Sequence, residues 1–305
     1  MKHLVSLDDV SAEDAHGLFQ RVDELLEARK AGRGGSSLQG KTLAMIFQKP
    51  STRTRISFEV AMKELGGDAL ILREDEIQLG RGESIADTAR VLSRYVDGVM
   101  IRTVKQTDVE TLAKFAGIPV INGLTDLEHP CQVLADLYTV RERFPEWTKK
   151  VKIAYVGDGN NVANSWLLAA GKLGLHLSLA TPEEYPPDAD IVSRARALAF
   201  ESGATIEIGG DPKEAAAGAH VVYTDTWVSM GQESERDLRR RTFADYQVNA
   251  ELLVHSDDAF VMHCLPAHRG EEITDEVLDG EHSIVFDQAE NRLHVQKAIL
   301  ERLLR

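Results

Sequence analysis

Thr42-Leu43-Ala44-Met45-Ile46-Phe47-Gln48-Lys49-Pro50-Ser51-Thr52-Arg53-Thr54-Arg55 is the stretch on which the fold turns. Its first six residues make a short apolar run of buried-strand length, and residues 56–65 behind it repeat their apolar side chains at helical spacing. Strand, polar turn and helix in that order are the opening of a βαβ unit. Working outward, residues 69–72, 98–101 and 119–121 read as further strands and residues 85–95 and 109–115 as helices. Such alternation predicts a parallel sheet. Upstream, Ser11 with Asp14 forms a capping box ahead of Leu18, Phe19, Val22, Leu25 and Leu26, which predicts a first helix.

A long helical pattern over residues 131–143 stops at Phe144-Pro145-Glu146, and a second alternating series begins at residue 151. That series has a helix at 162–173, strands at 175–179, 205–208 and 260–262, and another strand at Val221–Thr224. A final helix is expected over 291–304, with too many apolar positions for a solvated tail. The predicted fold class is therefore α/β with two domains, each a parallel sheet flanked by helices and with the active site in the cleft between them. Residues 1–145 plus 291–305 make the first domain and 146–290 the second.

Bulk properties agree with this reading. A chain of 305 residues is at the size where one core gives way to two. Hydrophobic residues at 43% and charged residues at 28% describe a soluble globular protein, and no run reaches the length of a membrane span. The formal charge of −14 argues against nucleic acid or an anionic membrane as partner, so an anionic ligand needs a local basic cluster. Acidic residues interrupt the start where a secretory signal would stay apolar, and a cytoplasmic location is expected. Cys131 and Cys264 are expected to be reduced thiols.

Ser51-Thr52-Arg53-Thr54-Arg55 lies at the carboxyl end of a predicted strand, where open parallel sheets bind ligands. A helix N-terminus there offers backbone N–H groups and a positive dipole end. Ser51, Thr52 and Thr54 add hydroxyls and Arg53 a planar fork, so the stretch reads as a phosphate cradle. Arg55 has Glu59 four residues on and reads as a structural ion pair instead. Gly157-Asp158-Gly159-Asn160-Asn161 looks like a dinucleotide loop, but Val162 stands where the third glycine would be.

The pentapeptide resembles the carbamoyl phosphate loop of the aspartate and ornithine carbamoyltransferases. Four more motifs of that family follow in order: Met100-Ile101-Arg102-Thr103, His129-Pro130-Cys131-Gln132, Asp225 with Ser229-Met230-Gly231, and His263-Cys264-Leu265-Pro266. The last two are similar to the signatures of the members that use ornithine. The resemblance implies transfer of a carbamoyl group from carbamoyl phosphate to the side-chain amine of L-ornithine, giving citrulline and phosphate without a cofactor. It implies that Ser51, Thr52, Arg53, Thr54, Gln78, Arg102, His129, Gln132, Cys264, Leu265 and Arg292 serve carbamoyl phosphate. Asn161, Asp225, Ser229 and Met230 would hold ornithine, with Cys264 beside the reacting amine.

Each role has a chemical reason. The carbamoyl oxygen becomes an oxyanion as the amine attacks, so donors such as Arg102, Thr54 and His129 must aim at it. Gln132 shares a helix face with His129 and can accept from the carbamoyl NH2, as can the carbonyl of Cys264 or Leu265. Asp225 and Ser229 suit the α-ammonium; Asn161 and the Met230 N–H suit the carboxylate. Arg292 is read as standing before the final helix and facing the carbamoyl group. By analogy the loop carrying Gln78 reaches a neighbouring subunit's site in a homotrimer, and Arg81 departs from the family's usual residue there. Metal ligation is not expected, because the His-x-Cys and His-Cys spacings are not zinc pairs and adjacent strand residues face opposite ways. Transfer to another amine such as putrescine, a nucleotide-linked dehydrogenase and a noncatalytic binding protein are the alternatives. Arginine biosynthesis is favoured over arginine catabolism.

Overall fold

The computed structural model describes residues 1–73, 82–229 and 232–305, with the backbone alone at residues 149, 150 and 233. Gln78, Arg81 and Met230 lie outside the described residues. The chain forms two compact units, Met1–Tyr138 with Glu290–Arg305, and Thr139–Ala289. The divide precedes Pro145, where the sequence break suggested it. Phe144 explains the difference, since its ring packs edge-on to His220 and to Phe260 within the second unit.

In the first unit helix α1 (Ala12–Lys30) is followed by β1 (Thr42–Phe47), α2 (Thr52–Glu64), β2 (Asp68–Arg73), α3 (Ile85–Leu92), β3 (Gly98–Arg102), α4 (Gln106–Phe115), β4 (Val120–Leu124) and α5 (Pro130–Arg143), whose residues from Thr139 onward belong to the second unit. The strands form a parallel sheet in the order β2-β1-β3-β4. β1 is buried from Leu43 to Phe47, which is why it reads as a continuous apolar run. β2, at the edge, alternates between exposed and half-buried positions. Ile46, Ile101, Leu112 and Val120 are fully buried in its core. The order reverses between β1 and β3, so the segments after these two strands emerge side by side.

The second unit runs through α6 (Trp147–Lys150), β5 (Lys152–Val156), α7 (Asn161–Leu173), β6 (His176–Ala180), α8 (Ala189–Ser202), β7 (Thr205–Gly209), α9 (Pro212–Ala216), β8 (Val221–Thr224), α10 (Arg236–Thr242), α11 (Ala250–Leu253), β9 (Phe260–His263), α12 (Asp275–Leu278) and the start of α13 (Val285–Leu304), whose residues from Glu290 onward belong to the first unit. Its parallel sheet has the order β7-β6-β5-β8-β9 over a core that includes Val156, Val222, Val261 and Ile273. β5 and β8 flank the reversal here, and β9 lies beside β8. The fold is thus two parallel sheets flanked by helices. One element differs from expectation. α13 begins at Val285, not near residue 291, because buried Val285 and Gln288 already occupy one helical face. Arg292 is therefore an interior helix residue.

Candidate active site

Ser51 caps α2, its hydroxyl accepting from Thr54 N at 3.4 Å. Capping starts the helix at Thr52, directly after β1, and turns Thr54 inward until it is 1% exposed. Arg102 ends β3, where the register with β4 shifts so that Ile101 faces Asn122 but Arg102 faces Leu124. Such a bulge re-aims the side chain beside it. Arg102 Nη1 donates to Thr54 Oγ1 at 3.4 Å, and Arg292 Nη2 donates to the same oxygen at 2.8 Å. A hydroxyl has two acceptor sites and one proton, so Thr54, accepting from both arginines, keeps its own O–H to donate elsewhere.

Arg292 Nη1 donates to Gln132 Oε1, and Gln132 Nε2 donates to Asp136 Oδ1 at 2.7 Å. Asp136 can only accept when ionised, so it dictates which end of the Gln132 amide faces Arg292. The oxygen assigned to the carbamoyl NH2 is therefore shared with an arginine from the start. His129, 4% exposed at the head of α5, has its pKa held well below the usual value of 6.5. Burial is the main cause, followed by the charges of Arg292, Arg102 and Arg53. These three arginines form a local basic cluster of the kind an anionic ligand would need. Arg55 pairs with Glu59 at 3.8 Å on the helix surface, as its spacing suggested. Cys131 is inert, its thiol pushed up to about 12 by burial and its S–H directed to Asn122 O at 3.4 Å.

A depressed histidine couples stability to pH with a definite sign. The unfolded chain binds the proton with a pKa near 6.5 while the folded chain resists it, so stability rises with pH in that range. The stability held above pH 6.5 is lost as pH falls through the interval down to the folded value. His129→Gln should flatten this acid arm below about pH 6.5, read as the urea midpoint against pH. Parallel curves for the two proteins would remove His129 from the linkage.

In the second unit the turn after β5 is Gly157-Asp158-Gly159-Asn160. Gly157 has φ of 135°, and a Cβ on Gly159 would lie 2.3 Å from the backbone of Pro186 and Pro187, so both positions demand glycine. Backbone conformation and packing account for both glycines. Asn160 caps α7, which places Asn161 as its first residue, partly exposed. Asp225, just past β8, is 6% exposed. Its Oδ1 accepts from Cys264 Sγ at 2.9 Å and Thr226 N at 2.7 Å, and its Oδ2 from Asn160 Nδ2 at 2.8 Å. Ser229 is partly exposed and its N–H donates to Gln232 Oε1 at 3.1 Å.

His263, fully buried, is a scaffold for the loop behind β9. Its Nδ1 accepts from Leu265 N at 2.8 Å, which leaves Nε2 to donate to Glu272 Oε1 at 3.0 Å. Gln288 Oε1 accepts from His263 N at 2.9 Å. The expectation that His263 and Cys264 face opposite ways fails, because β9 stops at His263 and Cys264 belongs to the loop. Ligand atoms of Asp225, His263 and Cys264 lie within 4.8 Å of one another, although both ring nitrogens of the histidine are already engaged.

Sequence reasoning missed Asp136, Asn160, Glu272 and the pair Asp158–Arg239. Arg239 Nη1 donates to Asp158 Oδ2 at 3.0 Å and to Trp227 O at 2.9 Å, tying the turn after β5 to the loop after β8. Burial pushes Asp158 up to about 6 against the pull of Arg239. Only Asp158 and Asn160 lay inside a motif already singled out.

Comparison with known proteins now adds a family. The family model for the aspartate/ornithine carbamoyltransferase carbamoyl-P binding domain matches residues 2–142, and that for the Asp/Orn binding domain matches residues 149–303. An ornithine carbamoyltransferase of Archaeoglobus fulgidus is 56% identical over 305 residues, covering 100% of this chain and 98% of that protein. The anabolic ornithine carbamoyltransferase of Pyrococcus furiosus is 54% identical over 300 residues, covering 98% and 95%. Among solved structures, ornithine carbamoyltransferase from P. furiosus superposes with a TM-score of 0.96 at 53% identity, covering 99% of this chain and 97% of that one. With both halves matched and such identity over the whole length, the chain belongs to the aspartate/ornithine carbamoyltransferase family.

Proposed function

We infer that the protein transfers the carbamoyl group of carbamoyl phosphate to the δ-amine of L-ornithine, giving L-citrulline and phosphate, an EC 2.1.3.3 activity. The observation that carries the reading is the convergence of Arg102 and Arg292 on the Thr54 hydroxyl beside a neutral His129. It is a preorganised donor set for an oxygen on which negative charge develops. Relatives from P. furiosus and Campylobacter jejuni carry the description anabolic, which supports the biosynthetic direction.

Ser51, Thr52 and Arg53 hold the phosphate, while Thr54, Arg102, His129 and Arg292 face the carbamoyl oxygen. Gln132 and the carbonyls of Cys264 and Leu265 accept from the carbamoyl NH2. Asp225 and Ser229 take ornithine's α-ammonium, and Asn161 with the Met230 N–H takes its carboxylate. An alkylamine with a pKa near 10.4 is free base in only about one molecule in a thousand near neutral pH, and nearby arginines favour that form. The amine nitrogen bonds to the carbamoyl carbon, the C–O bond to phosphate breaks, and the departing phosphate takes the amine's proton. Residues 1–145 with 291–305 serve carbamoyl phosphate and residues 146–290 serve ornithine. The working form is a homotrimer in which the Gln78 loop of one subunit completes its neighbour's site, and its place is the cytoplasm. Among the described residues no helix is long and apolar enough to cross a membrane.

The test is a citrulline-forming assay with ornithine against putrescine, acetylornithine and aspartate. Ornithine should be the preferred acceptor, and equal turnover of putrescine would overturn the reading, because the carboxylate contacts would then do nothing. Cys264→Ser should retain measurable activity, since the thiol donates to Asp225 at 2.9 Å and its role is to orient. An acyl-cysteine intermediate demands near-total loss instead.

A further inference from the structure

Asn160 looks like an ordinary helix cap, but its amide is locked in one orientation. Oδ1 accepts from Val162 N at 2.9 Å, Ala163 N at 3.3 Å and the Tyr155 hydroxyl at 3.1 Å. Reversing the amide would set NH2 against the N–H groups of Val162 and Ala163. Nδ2 therefore has one direction left, and 2.8 Å along it lies Asp225 Oδ2. The other carboxylate oxygen is occupied by Cys264 and Thr226, so three of about four acceptor sites are filled and the rotation of the group is set.

We propose that Asn160 is a positioning residue for the acceptor's ammonium, fixing the Asp225 carboxylate with a permanent N–H so that its remaining lone pair meets the ligand. The inference rests on the reading of Asp225 given above and deepens it. Neighbouring strands make it possible, since β5 and β8 are paired and the turns behind them come out together. The same helix start thus begins α7, presents Asn161 and aligns the carboxylate on the adjacent strand.

Asn160→Asp separates the cap from the alignment. Aspartate caps a helix as well as asparagine does and keeps the oxygen for Val162, Ala163 and Tyr155. It also sets a second carboxylate beside Asp225, and such pairs share one proton. Other groups that bear on the pair are Asp158 with its partner Arg239, Glu235, Cys264 and His263. With the proton lost the two carboxylates repel, and with it shared the new side chain donates to Asp225 as the amide did.

The experiment is the ornithine KM of Asn160→Asp divided by that of wild type at each pH, which cancels ornithine's own protonation. A ratio of about 30-fold or more near pH 8.5 is expected, narrowing towards pH 6 as the shared proton returns. Carbamoyl phosphate affinity by calorimetry should stay within about twofold, as expected for a site that the substitution does not touch. Asn160→Ser keeps a cap but cannot reach Asp225, and should raise KM by a ratio that does not vary with pH. A ratio near one, or a raised ratio for Asn160→Asp that is the same at every pH, would overturn the proposal with wild type still active. A wild type that makes no citrulline from ornithine would overturn the functional reading beneath it instead.

Discussion

Asp225→Asn is expected to raise the ornithine KM by about two to three orders of magnitude, because removing one side of a desolvated, hydrogen-bonded charge pair costs about 2–5 kcal/mol. The site is 6% exposed, so water cannot substitute for the lost charge. Asparagine also cannot satisfy the three donors from Asn160, Cys264 and Thr226, because one end of its amide is itself a donor. Carbamoyl phosphate should bind the variant with wild-type affinity, since its proposed arginines belong to the other unit. Steady-state kinetics in ornithine combined with calorimetric titration of carbamoyl phosphate makes the check. Saturation at the wild-type ornithine concentration would show that Asp225 does not hold the ammonium.

Arg102→Met should lower kcat by about 10²- to 10³-fold, the loss typical of one donor removed from a developing oxyanion. Methionine fills much of the buried volume without the charge, and Arg292 still holds Thr54 at 2.8 Å. The fold should therefore survive. A second readout comes from His129, whose pKa Arg102 helps to depress. Its titration, followed by NMR, should move up in the variant, towards the ordinary histidine value. Full kcat together with an unmoved His129 would remove Arg102 from both the reaction and the cluster.

The contrast between Arg55 and Arg53 shows how far a local reading reaches. Arg55 pairs with Glu59 at four-residue spacing, and helix geometry alone brings them to 3.8 Å. The role proposed for Arg53 depends on residues from β3, α5 and α13, and only the fold brings those charges together around His129. Arg292 repeats the lesson. Its part in the cluster was legible through resemblance, but its place inside α13 was not, because the apolar signal of residues 285–290 is short and falls on Val285 and a buried glutamine. Cys264 was misjudged by the alternation of a strand that ends one residue earlier.

Sequence by itself determined the alternation of strand and helix, the turn chemistry behind β1 and β5, and the residue types at each strand end. These follow from period, capping and glycine placement, all of which act within a few residues. Tertiary structure decided which atom of each side chain is already engaged. Asp136 orients Gln132, Glu272 orients His263, and Asn160 orients Asp225, over separations of 4, 9 and 65 residues. The first pair lies along one helix and could have been noticed. The other two depend on loop closure behind β9 and on the pairing of β5 with β8, and strand order is set by the packing of whole sheets, which no local pattern encodes.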